Sequence, residues 1–534
     1  MGDSADSGDK MMRESGKLSL LTMISRVLGL IREMTRTWLL GTGPLAEAFS
    51  AAFNVPNLFR KLLAEGAMSV ALIPTMRGYF AEGDDEKTRE FLSATLSILT
   101  FLLLAIMALG MAGSLGIARL YEAMARDPSL VTDSAETAAL IRLMFPYLAF
   151  VSLAAFFQGI LNAHGVFVPT GIGPILFNLS FLAIPPLVVG FLPNAARAMA
   201  VGVLVGGFLQ ALCQLPAVVR TGARFGFVSI RRAFRNPGMK RVMLLMAPTL
   251  VGTAAYELNA FVSTGLAYGV GAATSIQISL RLQELILGVF VVSVATVLLP
   301  ELSLRAAQRQ HVQLVAGFRR AIEGVMLVSV PIAVFSIIQR RNIVAVLFQS
   351  GRFGPDSVAQ TASAFLFHSL GLVFIAANRV ITPVFYARQD TKNPTWAGVA
   401  SFCVNMLLAW ALSGVMGGQG IALALSIASA VNTAVLLFML MRMGLPGMGA
   451  TLVASAGYAL RLLVYSLVAA APLVLFGQRF ASLFASSQSR FVFAGLPLLL
   501  STFVFGGLGC LLLFVTKDPV ARSLLAVFKR KTIR

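Results

Sequence analysis

Long apolar stretches recur along the whole chain and restrict the folds that it can adopt. A helix needs about 20 apolar residues to cross a bilayer, and about fourteen such stretches follow one another here. They are centred near Leu28, Val70, Leu103, Ala149, Leu179, Leu204, Thr253, Val289, Val328, Leu372, Cys403, Leu425, Val468 and Leu500. A barrel would show short alternating segments, and a soluble domain needs more than the 12% of charged residues found here. We therefore predict an all-α polytopic membrane protein with about 14 transmembrane helices.

Basic residues are distributed unevenly between the two ends of these predicted helices. The formal net charge of +20 would also suit a nucleic-acid-binding protein. With the amino terminus in the cytoplasm, however, the Lys and Arg residues concentrate in the cytoplasmic loops and are scarce in the outer ones. The sequence thus predicts a multi-pass membrane protein with both termini cytoplasmic, surrounded by membrane lipids and without a nucleic-acid partner.

A weak internal repeat organises the chain. Two motif pairs recur at nearly the same offset: Ser69–Pro74 with Ser293–Pro300, and Pro169–Asn178 with Pro394–Asn405. The predicted parts are a polar leader (1–17), an N-lobe (18–220), a basic linker (221–240), a C-lobe (241–442), two further helices (443–516) and a basic tail (517–534). Two six-helix lobes facing each other around a midplane site are typical of alternating-access transporters.

The first apolar stretch contains several charged residues. Arg26, Arg32, Glu33 and Arg36 fall within an arc of about 120° on a helix, with Gly29 in its middle. Charges inside a membrane segment are costly and usually face an internal polar cavity. The pattern predicts a basic helix face that an anionic group can approach closely.

The second predicted helix carries polar and charged residues after a proline. Asn57, Arg60, Lys61 and Glu65 follow one another here, and Lys61 and Glu65 have the i, i+4 spacing of a helical ion pair. Arg60 has no obvious partner in its own helix. This helix is a second source of positive charge within the membrane.

The eighth predicted helix carries a polar stripe. Gln277, Arg281, Glu284 and Gly288 share one helix face, which we expect to look inward. Arg281 and Glu284 are spaced to pair with each other. In the three helices together, basic side chains outnumber acidic ones.

Two interpretations of these charges remain open. Surplus positive charge in a low dielectric needs an anion, and the guanidinium fork matches phosphate oxygens well, which favours an anionic substrate. Alternatively, the charges satisfy one another as structural ion pairs.

Residues for metal or nucleophilic catalysis are scattered. The cysteines and histidines lie far apart, at Cys213, Cys403, Cys510, His164, His311 and His368. The acidic run 84–86 stands beside Lys87 and Arg89, which is typical of a solvated turn and not of the carboxylate cluster of a membrane glycosyltransferase. We predict a transporter and not an enzyme, without a metal or an organic cofactor.

Several short motifs occur in a fixed order along the chain. They are Ser25–Gly29 with Arg32 and Glu33, Glu47–Phe49, Pro56–Lys61, Glu65–Ala67, Arg281–Glu284, Leu347–Phe353 and Phe385–Thr391. Together they resemble the signature of the lipid II flippase (MurJ, also MviN) family of bacterial cell-wall synthesis. The resemblance covers about residues 17 to 442.

The resemblance implies a fourteen-helix fold of the multidrug, oligosaccharidyl-lipid and polysaccharide exporter superfamily. It implies that lipid II, the undecaprenyl-pyrophosphate-linked peptidoglycan precursor, moves from the inner to the outer leaflet of the bacterial cytoplasmic membrane, with cell-wall synthesis enzymes as further partners. The substrate-binding residues would be Arg26, Arg32, Arg60 and Arg281, supported by Glu33, Glu47, Asn57, Lys61, Glu65 and Glu284. The helices of 443–516 would form the groove for the lipid tail.

The chain departs from the family pattern at several positions. Glu33 and Glu47 stand where Asp is usual, and Lys61 stands where Arg is usual. Each change keeps the sign of the charge and alters the reach of the side chain.

An ion gradient or the membrane potential would supply the energy for transport. Some relatives couple to sodium through carboxylates in the seventh and eleventh helices. Here the seventh offers Glu257 with Asn259, whereas the eleventh offers Asn405 and no acid. Glu257 is either a coupling carboxylate or a protonated, hydrogen-bonded buried acid.

Two other transporters compete with this interpretation. A polysaccharide-repeat flippase of the O-antigen type would also carry a lipid-linked pyrophosphate and is the closest alternative. A multidrug or cation antiporter would share the lobes, but its cavity should be acidic, whereas this one is basic.

Overall fold

The computed structural model describes residues 2–62, 68–125, 129, 133–290, 302, 304–308, 310–484, 486, 487 and 489–522. Over these residues the chain is helical, with no β-strand and a single isolated bridge between Ser350 and Phe353. The prediction of an all-α fold is confirmed. Glu65 and the repeat copy Ser293–Pro300 lie outside the described residues.

Contacts divide the chain into two compact units, Met1–Ala273 and Thr274–Arg534. The helices of the first unit are α1 (Gly2–Leu40), α2 (Pro44–Arg60), α3 (Met68–Glu82), α4 (Asp85–Ala112), α5 (Ser114–Ala123), α6 (Ser134–Met144), α7 (Tyr147–Ala163), α8 (Val168–Val188), α9 (Ala195–Leu212), α10 (Leu215–Arg220), α11 (Ile230–Arg235) and α12 (Pro237–Gly269). The seventh predicted membrane helix corresponds to α12. It therefore groups with the helices before it. The division into two lobes related by the repeat stays a prediction.

The second unit begins within the first turn of the next helix. Its helices are α13 (Ala273–Phe290), α14 (His311–Phe348), α15 (Pro355–Ala387), α16 (Lys392–Met416), α17 (Gly418–Arg442), α18 (Met448–Ser482) and α19 (Leu496–Val515). A short 3-10 turn at Val189–Phe191 follows α8, and a π turn at Phe491–Gly495 precedes α19.

Among the described residues, ten spans are long and apolar enough to cross a membrane. They are Asp85–Ala112, Ser134–Ala163, Val168–Phe191, Ala195–Arg220, His311–Phe348, Pro355–Ala387, Lys392–Met416, Gly418–Arg442, Met448–Arg479 and Phe491–Val515. The predicted centres at Leu28, Val70, Thr253 and Val289 fall instead in α1, α3, α12 and α13. Three of these helices, α1, α12 and α13, carry charged candidate-site residues. The prediction of a polytopic membrane protein is confirmed.

Polar side chains at the helix starts explain several boundaries. Asp84 caps α4, because its carboxylate accepts hydrogen bonds from the backbone N–H groups of Glu86 at 3.1 Å and Lys87 at 3.0 Å. The acidic run is therefore a helix cap. Asn194 and Asn236 cap α9 and α12 in the same way.

The first unit packs around side chains of α3, α4 and α7. Leu72, Phe91, Phe156 and Ile160 are fully buried in this core. In the same unit, α8 packs against both α9 and α1. The close packing of α1 on α8 positions the charged face of α1.

The second unit packs around α14, α15 and α17. Phe318, Leu372, Phe385 and Leu440 lie at the centre of its largest described apolar cluster. The helices α15 and α17 approach closely at Gly371, where an added Cβ atom would lie 2.5 Å from Ser426 Oγ. Helix α18 then packs on α14, and α19 packs on α18.

Candidate functional site

A shared carboxylate links two arginines on α1. Glu33 Oε1 lies 2.9 Å from Arg32 Nη2, and its Oε2 lies 3.0 Å from Arg36 Nε. Arg36 also donates to Ser50 Oγ at 3.0 Å and is almost fully buried. The three charged residues carry a formal net charge of +1 within the apolar stretch of α1 that is centred near Leu28 in the sequence.

Asn178 of α8 joins this cluster and fixes its position. Arg32 Nη1 donates to Asn178 Oδ1 at 3.2 Å, while Asn178 Nδ2 donates to the Ser25 carbonyl oxygen at 3.0 Å. A Cβ atom added at Gly29 would lie 3.9 Å from the same amide nitrogen. The sequence pattern marks Asn178 only as a repeat landmark and predicts no role for it in the site.

Two aromatic rings of α8 lie beside the Arg32 guanidinium. Its Cζ atom lies 5.7 Å from the centroid of Phe177 and 5.3 Å from that of Phe181. Both distances fall within the range of cation–π attraction, which compensates part of the cost of burying the charge. The i, i+4 spacing of the two phenylalanines puts both rings on one face of α8, but it does not identify Arg32 of α1 as their neighbour.

Arg26 lies on the same helix in different surroundings. Its side chain is exposed. The prediction that it shares a helix face with Arg32 agrees with the continuous helix α1, yet the described contacts join Arg32 to Glu33, Asn178 and the phenylalanines.

Arg60 and Asn57 lie on one face of α2. Arg60 Nε donates to Asn57 Oδ1 at 2.9 Å, and both side chains are partly buried. The sequence pattern predicts no partner for Arg60 in its own helix, and Asn57, three residues earlier, is that partner. The neutral amide orients the guanidinium without neutralising it.

Lys61 contacts a partner distant in the sequence. Its Nζ lies 3.0 Å from Glu257 Oε2 of α12, with side-chain exposures of 31% and 8%. The expected local pair with Glu65 lies outside the described residues. Glu257 is therefore an ion-paired carboxylate, an arrangement that neither predicted role for it included.

Glu47, in the first turn of α2, is fully buried. Its Oε2 accepts a hydrogen bond from the backbone N–H of Ala273 at 2.6 Å, at the point where α13 begins. A carboxylate beside the first N–H groups of a helix is favoured by the helix dipole. Glu47 thus serves as a structural anchor in this arrangement.

Arg281 and Glu284 form the ion pair that their spacing predicts. Arg281 Nη1 lies 3.2 Å from Glu284 Oε2, with side-chain exposures of 44% and 60%. Gln277 and Gly288 on the same stripe are also less buried than neighbouring Leu282. Because Arg281 belongs to the second unit, it is described separately from Arg32 and Arg60.

The opposite face of α13 is fixed to α15 by polar contacts. Ser279 Oγ is hydrogen-bonded to Nδ1 of buried His368, and Gln283 Nε2 donates to the His368 carbonyl oxygen. These contacts set the rotation of α13 and so the direction in which Arg281 points. In the sequence, His368 is one of three scattered histidines, and no pattern predicts this contact.

The other candidate coupling residues lie in separate units. Asn259 is partly buried on α12, and Asn405 is buried on α16. Within the described ranges, no group of three or more His, Cys, Asp or Glu side chains is arranged to hold a metal ion. The arrangement offers guanidinium donors, which suit an anion.

The comparisons with known proteins give a consistent result. The family model described as lipid II flippase MurJ matches residues 37–497. A probable lipid II flippase MurJ of Treponema pallidum is 38% identical over 526 residues, covering 96% of this chain and 98% of the relative. A protein of the same description from Vibrio cholerae is 32% identical over 444 residues, covering 80% and 82%.

Solved structures share the fold. A lipid II flippase MurJ in an inward closed conformation superposes with a TM-score of 0.75 at 21% identity, covering 94% of this chain and 99% of that one. An inward-facing multidrug resistance transporter of the MATE family gives a TM-score of 0.64 at 16% identity, covering 79% and 96%. The fold is thus shared by transporters with different substrates, so residues have to distinguish among them.

Proposed function

The chain belongs to the lipid II flippase MurJ family, and we propose that it carries lipid II from the inner to the outer leaflet of the bacterial cytoplasmic membrane. The observation that carries the proposal is the Arg32, Glu33 and Arg36 cluster on α1, with Asn178 and two aromatic rings beside it. Guanidinium groups in low dielectric suit the pyrophosphate of a lipid-linked precursor.

Within this function, we propose that Arg26, Arg32, Arg60 and Arg281 bind the anionic headgroup. Arg32 is held in one direction by Asn178 and Glu33, and Arg60 is held by Asn57, so their donors are oriented before the substrate arrives. Preorganised donors bind an anion with less loss of side-chain entropy. Exposed Arg26 would make the first electrostatic contact.

Alternating access supplies the mechanism. Arginines that bind one pyrophosphate repel one another in its absence, and the anion removes this repulsion. The substrate therefore favours the states in which the arginines approach, provided that it binds those states more tightly than the resting state. The lipid tail stays in the membrane, in a groove that we assign to α18 and α19, whose many exposed apolar side chains suit contact with lipid.

The orientation follows from the basic loops. An excess of Lys and Arg on the side of both termini supports a cytoplasmic location for that side. Lipid II would therefore enter from the side where the precursor is made. Enzymes of cell-wall synthesis that make or consume lipid II are the partners that this direction of transport requires.

We propose an ion gradient or the membrane potential as the energy source, with Glu257, Asn259 and Asn405 as candidate coupling residues. The Lys61 ammonium group is paired with the Glu257 carboxylate, so a coupling cation would have to compete with this ammonium group. Substrate binding near α2 that draws Lys61 away would free the carboxylate. Glu257→Gln tests this role, because unchanged transport with unchanged ion dependence would exclude it.

The two competing transporters differ from a lipid II flippase in the charge of the substrate or in the glycan that it carries. A cation antiporter is disfavoured because the α1 cluster holds two arginines around one glutamate. A polysaccharide-repeat flippase would use the same basic residues and differs in the glycan attached to the pyrophosphate. Both lipid-linked substrates therefore belong in the same experiment.

The deciding experiment is translocation of labelled lipid II in proteoliposomes that contain the purified protein. We expect transport under at least one of three imposed conditions: a sodium gradient, a proton gradient or a membrane potential. Arg60→Ala should abolish it, whereas Arg119→Gln, at an exposed arginine of α5, should not. Transport of a lipid-linked polysaccharide repeat in place of lipid II would overturn the substrate assignment.

A further inference from the structure

A polar cavity of about 250 Å³ lies in the second unit, away from every residue assigned above to headgroup binding or coupling. It is bordered by α14, α18 and the segment that follows α19. Its charged and polar lining comprises Arg319 and Glu323 of α14, Tyr458 and Arg461 of α18, and the backbone around Val520. Neither lipid II transport nor its energy coupling uses this group of residues.

Buried Asp518 forms one side of this region. Its carboxylate accepts hydrogen bonds from Tyr458 Oη at 3.1 Å, Arg461 Nη2 at 3.3 Å and the backbone N–H groups of Val520 and Ala521 at 3.0 and 2.9 Å. Four donors satisfy the acceptor capacity of this carboxylate. Asp518 therefore holds the segment after α19 against α18, and its oxygen atoms are already occupied by these donors.

The two arginines of the cavity are more exposed than their acidic partners. Arg319 Nε donates to Glu323 Oε1 at 2.8 Å, with side-chain exposures of 51% and 10%. Arg461 is 45% exposed, whereas Asp518 is 1% exposed. Each guanidinium has five N–H donors and uses one of them towards the described part of the chain. The remaining donors are available to a ligand.

The cavity lies at the edge of the apolar layer. Arg319 and Glu323 precede the apolar run 324–338 of α14, and Arg461 precedes the apolar run 462–476 of α18. Asp518 follows the end of α19 at Val515. These positions in the sequence indicate a depth near the edge of the apolar layer, where lipid phosphate groups lie.

We propose that this cavity binds the phosphate group of an anionic membrane lipid between Arg319 and Arg461. Pockets for whole drug-sized ligands span about 300–1,000 Å³, so this volume suits a headgroup whose acyl chains stay outside. Arginine forks bind phosphate oxygens in a bidentate manner. The basic residues Lys517 and Arg522 on either side of Asp518 add attraction for an anionic surface. A soluble phosphate has the same phosphate oxygens and would be recognised by the same arginines.

Gly457 allows the cavity to be filled without changing a charge. It lines the cavity, and a Cβ atom added there meets no atom within 4 Å. Gly477 lies on the same helix, also has open space around its Cβ position, and does not line the cavity. Gly457→Leu and Gly477→Leu are therefore a matched pair, both of which place a leucine on α18.

The test uses the full-length protein, purified and delipidated in a neutral detergent, without lipid II. Native mass spectrometry measures the affinity for the first dioleoylphosphatidylglycerol, and parallel titrations use dioleoylphosphatidylcholine and inorganic phosphate. We expect Gly457→Leu to weaken phosphatidylglycerol binding roughly tenfold, the equivalent of one lost charge-assisted hydrogen bond. Gly477→Leu should bind as the wild type does, and Arg319→Gln should reproduce the loss.

The outcomes separate the sources of phosphate. Binding of phosphatidylglycerol that Gly457→Leu weakens supports the lipid, and binding of inorganic phosphate that Gly457→Leu weakens supports a soluble source of the same group. Equal affinities in both leucine variants, or equal binding of phosphatidylcholine, would overturn the proposal. Because lipid II is absent throughout, none of these results depends on the transport function.

Discussion

Lys61 and Glu257 form an ion pair although 196 residues separate them in the chain, with Nζ and Oε2 3.0 Å apart. Lys61 follows α2 directly, and Glu257 lies within α12, so the pair fastens two distant segments of the first unit. Glu257 is nearly buried whereas Lys61 keeps part of its hydration. Loss of the ion pair should therefore destabilise the buried carboxylate more than the partly hydrated ammonium group.

The first prediction concerns this pair. We expect Glu257→Gln and Lys61→Gln together to destabilise the protein less than the sum of the single substitutions, with a coupling energy of about 0.5–3 kcal/mol. The physical reason is that each single change leaves a charge without its partner. Thermal unfolding of all three variants in the same detergent measures it. Strict additivity would mean that the pair contributes no coupling.

The second prediction concerns the guanidinium of Arg32. Arg32→Gln should slow lipid II translocation at least roughly tenfold, since the charge and the fork are both lost. Arg32→Lys should recover part of the rate, because it keeps the charge and loses the bidentate geometry. Proteoliposome transport measures both, with Arg119→Gln as the control. Wild-type transport by Arg32→Gln would contradict the assigned role.

The third prediction concerns Asn178. Asn178→Asp should reduce transport more than Asn178→Ala does, although both lose the hydrogen bond to the Ser25 carbonyl. The new carboxylate would pair with Arg32 Nη1 and compete with the substrate anion, whereas alanine leaves the guanidinium charge available. Initial translocation rates of the Asp and Ala variants, measured at equal protein content, test this order. The reverse order would show that Asn178 has a structural role only.

The fourth prediction tests the approach of α15 to α17. Gly371→Ala should lower the free energy of unfolding by about 1–3 kcal/mol, because the new methyl group meets the backbone and side chain of Ser426. Gly398→Ala in α16 is the control, since a Cβ atom there has open space. Thermal unfolding compares the two. Equal melting temperatures would contradict the close approach.

The fold is predictable from this sequence to the extent that apolar length decides it. The charged residues of α1 and the spacing of Arg281 and Glu284 also predict local contacts correctly. Local rules fail for Lys61, because i, i+4 spacing identifies a partner on the same helix and cannot identify Glu257 on another. A tertiary contact overrides the local preference there.

Buried amides are the second kind of residue that local patterns miss. Asn178 follows Pro169 by nine residues, Asn405 follows Pro394 by eleven, and both asparagines are buried. The sequence pattern marks Asn178 only as a landmark of the weak repeat, and Asn405 also as a candidate coupling residue. The roles of Asn178 towards Ser25 and Arg32 depend on the packing of α1 against α8, which hydrophobic periodicity does not specify.

The contact of Glu47 with Ala273 has a consequence for comparing relatives. The glutamate binds a main-chain N–H, so every residue except proline at position 273 preserves the bond. Substitutions at the two positions therefore need not compensate each other during evolution. A search for correlated changes between aligned sequences would overlook this contact, and the buried carboxylate at position 47 would look like an isolated acid.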